Sequence, residues 1–155
     1  MADAIVVLNA GSSSIKFSLF LARGEDLELD LRGQIEGIYT APRFVAKGRD
    51  GRQRSEKTWE AGTKLGHDGA LQHLVDFLKQ ELVDDTLVGV GHRVVHGGPE
   101  YAEPLCVDAN VLASLEKLVP TLEDLSTMLR VLARSATGQE MSVYTTLSTG
   151  PRRAA

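Results

Sequence analysis

Residues 9–20 read "NAGSSSIKFSLF", from Asn9 to Phe20. An apolar, β-branched run, Ile5-Val6-Val7-Leu8, stands directly ahead of them. After Asn9 come one glycine and three consecutive hydroxyls. Apolar residues then resume in strict alternation, Ile15, Phe17 and Leu19 against Lys16 and Ser18. A short apolar run followed by period-two alternation predicts two strands, Ala4–Leu8 and Ile15–Leu21, joined by a small polar turn. The segment shares glycine, serine and lysine with a phosphate-binding P-loop but differs from it. That motif needs Gly-Lys followed by Ser or Thr and then a helix. Here Lys16 follows Ile15 and a strand follows the turn, so no helix dipole is at hand for an anion.

Working outward, the next residues extend a sheet. Leu27, Leu29 and Leu31 alternate with Glu28, Asp30 and Arg32 and predict a third strand with one wet face. Phe44-Val45-Ala46 and a segment around Thr58-Trp59 flank Asp50-Gly51, a dipeptide that favours a hairpin turn. Lys47, Arg49, Arg52, Arg54 and Lys57 read as its solvated tip, with Asp50 and Glu56 diluting the charge. A helix follows, with Asp68 as its cap and Leu71, Leu74, Val75, Leu78 and Leu82 on one face. His67 and His73 read as surface or capping residues rather than ligands. Leu87–Val95 returns to strand, ended by Gly97-Gly98-Pro99. Asp108 is placed to cap a second helix carrying Val111, Leu112, Leu115 and Leu118, stopped by Pro120. A further helix is expected over 121–137, with Thr121 and Asp124 spaced as a capping box and Leu125, Met128, Leu129 and Leu132 as its apolar stripe. Residues 138–155, rich in Ser, Thr and Gly, read as a poorly ordered tail.

The 155 residues suit one domain. A chain of this length buries roughly two-thirds of its unfolded surface, enough for a core. Apolar content of 43% and charged content of 25% are near the globular average. The net charge of −4 gives no electrostatic ground for a nucleic acid or a membrane as partner. The single Cys106 cannot form an internal disulfide, which fits a reducing compartment. Asp3 and the shortness of the first apolar run argue against a signal peptide. The expectation is a cytoplasmic location.

Two stretches carry residues suited to chemistry. In the turn, Gly11 reads as the residue that permits tightness and close approach of a ligand. Its backbone amides and the hydroxyls of Ser12, Ser13 and Ser14 suit a phosphate. Lys16 offers a compact cation, and Asn9 a neutral oxygen for Mg²⁺. The same residues also make an ordinary Gly/Ser hairpin with a surface lysine, and spacing alone leaves both readings open. The second stretch is "GVGHRVVHGG", Gly89 to Gly98. His92 and His96 are four apart, as in helical zinc pairs, but Arg93 stands where a glutamate base would be, and the valines argue for a strand. Hydrogen-bonded structural roles suit the histidines. An arginine in an apolar strand must reach an anion, water or a structural ion pair.

Together, "IVVLNAGSSSIKFSLF" and "GVGHRVVHGG" closely resemble the two N-terminal signatures of the acetate kinase family of carboxylate kinases. "GHDGALQHLVDFL" between them and "VDANVLASLEKLVP" after them resemble it too. The resemblance covers 4–120. It implies an α/β fold, the N-terminal lobe of the actin/hexokinase-like ATPases, with a ribonuclease H-like mixed sheet and packed helices. It implies ATP and Mg²⁺ as reactant and cofactor, reversible transfer of a phosphoryl group to acetate giving acetyl phosphate, and a homodimer. Residue by residue it implies Asn9 at the metal, Lys16 with Ser12 and Ser14 at ATP, and Arg93 at the carboxylate substrate. The family's catalytic residues fall in a second lobe with no counterpart here. Residues 121–155 bear no likeness to that lobe, as a frameshift, truncation or fusion would leave them. A partial lobe is also expected to expose apolar surface and to self-associate.

Overall fold

The computed structural model describes residues 1–94, 105–116 and 142–147. Five strands come first: β1 (Asp3–Ala10), β2 (Ser14–Arg23), β3 (Asp26–Glu36), β4 (Arg43–Gly48) and β5 (Gln53–Thr58). Helix α1 (Gly66–Glu81), strands β6 (Thr86–Val94) and β7 (Leu105–Cys106), helix α2 (Ala109–Glu116) and strand β8 (Ser142–Leu147) follow. The strands form one mixed sheet in the order β5-β4-β3-β2-β1-β6-β8-β7. β1 to β5 are an antiparallel meander. β6 runs parallel to β1, and β8 parallel to β6.

One face of the sheet is dry. Ala4, Val6, Leu8 and Ala10 of β1 and Ile15, Phe17, Leu19 and Leu21 of β2 are all buried. α1 covers this face with Ala70, Leu71, Leu74, Phe77 and Leu78. Phe17 and Phe44 stack with ring centroids 6.0 Å apart, and Phe77 of α1 meets both edge-on, at 6.1 and 5.0 Å. Gly33 makes room for this cluster. It lies opposite Phe17 on one side and Ala46 on the other. A Cβ there would collide with the Val45 carbonyl oxygen and sit 2.7 Å from the Phe17 ring.

The Asp50-Gly51 hairpin forms as expected, with Gly51 at φ +78°. Asp108 caps α2, its Oδ1 accepting from the amides of Asn110 and Val111 at 2.9 and 2.8 Å. Other expectations need correction. α1 starts ahead of Asp68, at Gly66, whose left-handed backbone (φ +64°) turns the chain into the helix. Val75 is 43% exposed, and Ala70 and Phe77 complete the buried face instead. In β3 the three leucines do not share a face. Leu19 pairs with Leu31 but Phe20 pairs with Leu29, a bulge at Asp30 that reverses the alternation. Leu31 is therefore in the core while Leu27 is exposed. Part of the expected tail is a strand: Ser142–Leu147 lies beside β6 in parallel register, as its Val143-Tyr144-Thr145-Thr146 composition favours. The helix expected over 121–137, His96 and the Gly97-Gly98-Pro99 stop lie outside the described residues.

Replacing Gly33 with alanine is expected to destabilise the fold by about 1–3 kcal/mol, because a backbone carbonyl cannot yield. Urea unfolding measures this, and an unchanged midpoint would contradict the packing described. His73 sits between the rings of Phe44 and Trp59, at 4.7 and 5.0 Å. Burial holds its pKa below the ordinary 6.5, Lys57 pushes the same way, and Asp76 opposes. The folded state thus prefers the neutral ring. Its contribution is complete above pH 6.5 and falls as pH drops below it, since the unfolded chain takes up the proton first. Between about pH 7.5 and 5.5, His73→Gln should therefore lose less stability than the wild type.

Candidate functional site

The site begins with a matter of parity. Because Leu8 and Ala10 face the core, Asn9 between them faces the other side of the sheet. Lys16, between buried Ile15 and Phe17, does the same. Asn9 and Lys16 are direct partners across the β1–β2 ladder. On the other side of β1, Leu8 pairs with His92 in parallel register, and Asn9 and Arg93 each follow one residue later. Lys16, Asn9 and Arg93 thus occupy neighbouring positions on three adjacent strands. His92 is 1% exposed, in keeping with a structural role.

The turn between β1 and β2 closes with the Gly11 amide donating to the Ser14 carbonyl at 2.8 Å. Ser12 and Ser13 are exposed and Ser14 is half-buried. The turn does not itself require glycine. Gly11 is absent from the positive-φ residues, and a Cβ there would make only ordinary contacts, 3.7 Å from the Ser14 carbonyl and hydroxyl oxygens. The expectation that Gly11 permits tightness is therefore corrected: among the described residues the left-handed glycines are Gly24, Gly37, Gly51, Gly62 and Gly66.

The carbonyls of the turn are held from behind. The Ile38 amide donates to the Ser13 oxygen at 3.3 Å. His67 Nε2 lies 2.7 Å from the Gly11 oxygen, and the Tyr39 hydroxyl lies 2.9 Å from His67 Nδ1. His67 is 8% exposed, not the surface or capping residue its position suggested. The local signal was thin, a polar residue two places after Leu65 at the start of a helix. Among the described residues, the amides of Ser12 and Ser13 have no acceptor.

Beside Lys16 the wet face of β2–β5 forms an open groove of about 530 Å³ that also includes Arg32, Gln34, Arg43 and Lys47. Arg43 is committed: its Nε and Nη2 both reach Glu56 Oε1, at 2.9 and 2.7 Å. That contact raises the arginine pKa and lowers the glutamate's. Lys16, Arg32 and Lys47 have no ion-pair partner among the described residues, and Glu36, which also lines the groove, offsets them only in part, so the groove is positive on balance. Among the described residues no cluster of three or more His, Cys, Asp or Glu side chains could hold a metal.

A family model described as the acetokinase family matches residues 4–126. A second, described as the LUD domain, matches residues 110–155. The acetate kinase of Rhizobium meliloti is 43% identical over 113 residues, 73% of this chain and 28% of that protein. That of Nitrobacter hamburgensis is 40% identical over 118 residues, 76% of this chain and 29% of that protein. The chain thus spans under a third of the length of these relatives. Among solved structures, a propionate kinase from Francisella tularensis superposes with a TM-score of 0.73 at 24% identity, covering 94% of this chain and 36% of that one. The acetate kinase of Porphyromonas gingivalis gives 0.70 at 20% identity, covering 96% and 38%. The fold is that of the N-terminal part of these kinases, an actin/hexokinase-like mixed sheet.

Since neither φ nor packing demands glycine at position 11, Gly11→Ala should shift stability by no more than about 0.5 kcal/mol. Urea unfolding measures it. A loss approaching that expected of Gly33→Ala would mean that the turn needs the glycine after all.

Proposed function

The chain belongs to the acetokinase family, and from that premise we propose that it carries the nucleotide-facing lobe of a kinase acting on acetate or a similar short carboxylate. The observation that supports this best is the juxtaposition of Lys16, Asn9 and Arg93 on adjacent strands beside a turn whose Ser12 and Ser13 amides lack acceptors. Lys16, with Ser12 and Ser14, takes the ATP phosphates. Arg93, with a planar fork that matches a carboxylate, takes the substrate. Asn9 contributes one neutral oxygen toward Mg²⁺. With no acidic cluster among the described residues, the nucleotide's own phosphates would supply most of the metal's ligands. Bound there, Mg²⁺ would neutralise phosphate charge.

In the reaction a carboxylate oxygen bonds to the γ-phosphorus of ATP while the bond to the β-phosphate oxygen breaks, leaving acetyl phosphate and ADP. Such transfer is mostly positioning and charge stabilisation. This chain's part is to orient the phosphates from one side. Groups opposing them across the transferring phosphoryl belong, by the family resemblance, to a lobe outside the matched residues. The 155-residue chain should therefore bind MgATP and not turn it over. Lys16→Ala should weaken that binding about tenfold or more, with an unchanged circular dichroism spectrum. Calorimetry and a coupled assay for acetyl phosphate test both halves.

A second reading is a non-catalytic fragment, favoured by the short share of each relative that is matched and by the LUD-domain match over 110–155. Absence of MgATP binding to a folded, monodisperse chain would select it. Acetate-dependent turnover that co-purifies with the chain would overturn both readings.

A further inference from the structure

We propose that His67 is a positioning residue that aims the Ser12 amide at a phosphate oxygen, acting through the Gly11–Ser12 peptide, with Tyr39 bracing the far side of its ring. The proposal rests on the nucleotide reading for its ligand but not for its geometry. Gly11 oxygen can only accept, so the His67 nitrogen 2.7 Å away, Nε2, must carry the proton. In a neutral ring Nδ1 is then an acceptor, and the Tyr39 hydroxyl 2.9 Å away donates to it. The Gly11 carbonyl selects the tautomer, and the Tyr39 hydroxyl, able to donate or accept, conforms to it.

The consequence crosses the peptide plane. The described residues contain no cis peptide bond, so the Gly11 carbonyl and the Ser12 N–H point in opposite directions. Holding the carbonyl inward against a buried imidazole holds the amide outward. Ser12 is exposed and its amide has no protein acceptor among the described residues, which leaves the N–H accessible from solvent. An anion-binding amide is worth most when it need not reorganise.

The support is itself braced. Tyr39 and His67 belong to two segments joined by the Gly66 amide donating to the Ile38 carbonyl at 2.9 Å. Ile38 in turn holds the Ser13 carbonyl, so two neighbouring turn carbonyls are fixed by one bracket. Gly37, at φ +62°, and Gly66, at φ +64°, shape the bracket. A Cβ at Gly37 would come within 2.6 Å of the Ala41 carbonyl oxygen.

The test uses the full chain, ¹⁵N-labelled, with MgADP as probe. Long-range ¹H–¹⁵N correlation should show the Nε2–H tautomer at His67. His67→Leu should move the Ser12 amide resonance and weaken MgADP about tenfold. His67→Gln, whose carboxamide can still donate to Gly11, should recover binding to within about threefold. Tyr39→Phe should leave the fold intact and keep the Nε2–H tautomer, because the Gly11 carbonyl still demands it. An Nδ1–H ring in the wild type, or a His67→Leu chain with unchanged Ser12 resonance, would overturn the proposal. If His67→Leu does not fold, the wild-type tautomer and its persistence in Tyr39→Phe decide it. If the wild type ignores MgADP, the nucleotide reading fails, while the tautomer and the Ser12 resonance still judge the positioning.

Discussion

The face on which Asn9 and Lys16 stand is decided by the burial of their neighbours. Val6, Leu8 and Ala10 must lie under α1, and so must Ile15, Phe17 and Leu19. A slip of one residue in either strand would exchange core and solvent sets wholesale. Burying a Leu or Phe side chain is worth about 1.5–3 kcal/mol, so several such groups outweigh any preference of one lysine. The site's polar residues therefore need no interactions of their own to be placed. Their positions follow from the core, through the β1–β2 ladder and its parallel neighbour β6.

The turn obeys a different rule. Strand pairing ends at Ala10 and Ile15, and four residues must reverse the chain between them. What sets their orientation is tertiary, the His67 imidazole and the Ile38 amide beneath them. The division suits a phosphate-facing loop. Rigid strands carry the side chains, and a separate bracket orients the peptide planes. Gly11 fits the same division, because its missing side chain serves neither φ nor packing.

Much of this was legible in the sequence, and the failures share a cause. A short β-branched apolar run located β1, period-two alternation located β2, and Asp-Gly located the β4–β5 hairpin, because these signals are local. The break in β3 was not legible: Leu27, Leu29 and Leu31 alternate without fault, and only pairing with β2 reveals the bulge at Asp30. His67 looked like a surface residue because a polar group at a helix start is normally wet. Its burial depends on an acceptor 56 positions away. Ser142–Leu147 looked like tail because Ser and Thr dominate around it, whereas its β-forming residues needed β6 as a template. Asn9, Lys16 and Arg93 could be named from the resemblance, but their adjacency is a property of register.

Phosphate recognition and phosphoryl transfer make different demands, and on the function proposed above a single lobe meets only the first. An exposed amide, a lysine and a positively charged groove can attract a polyphosphate from water, and salt screens that attraction. Transfer requires charge stabilisation that stays strong as the transition state forms, which needs water excluded and donors on both sides. Lys16 and Ser12 are exposed, and the groove beside them is open. Here they act at a wet surface, where two unit charges 4 Å apart gain at most about 4 kcal/mol, against about 1 in bulk water and more where water is excluded. An opposing wall would lower the dielectric around groups already aimed, so the same Asn9, Lys16 and Ser12 would gain strength without moving. On that proposal the turn is the half of the device that one lobe can build alone, and the dielectric is the half that it cannot.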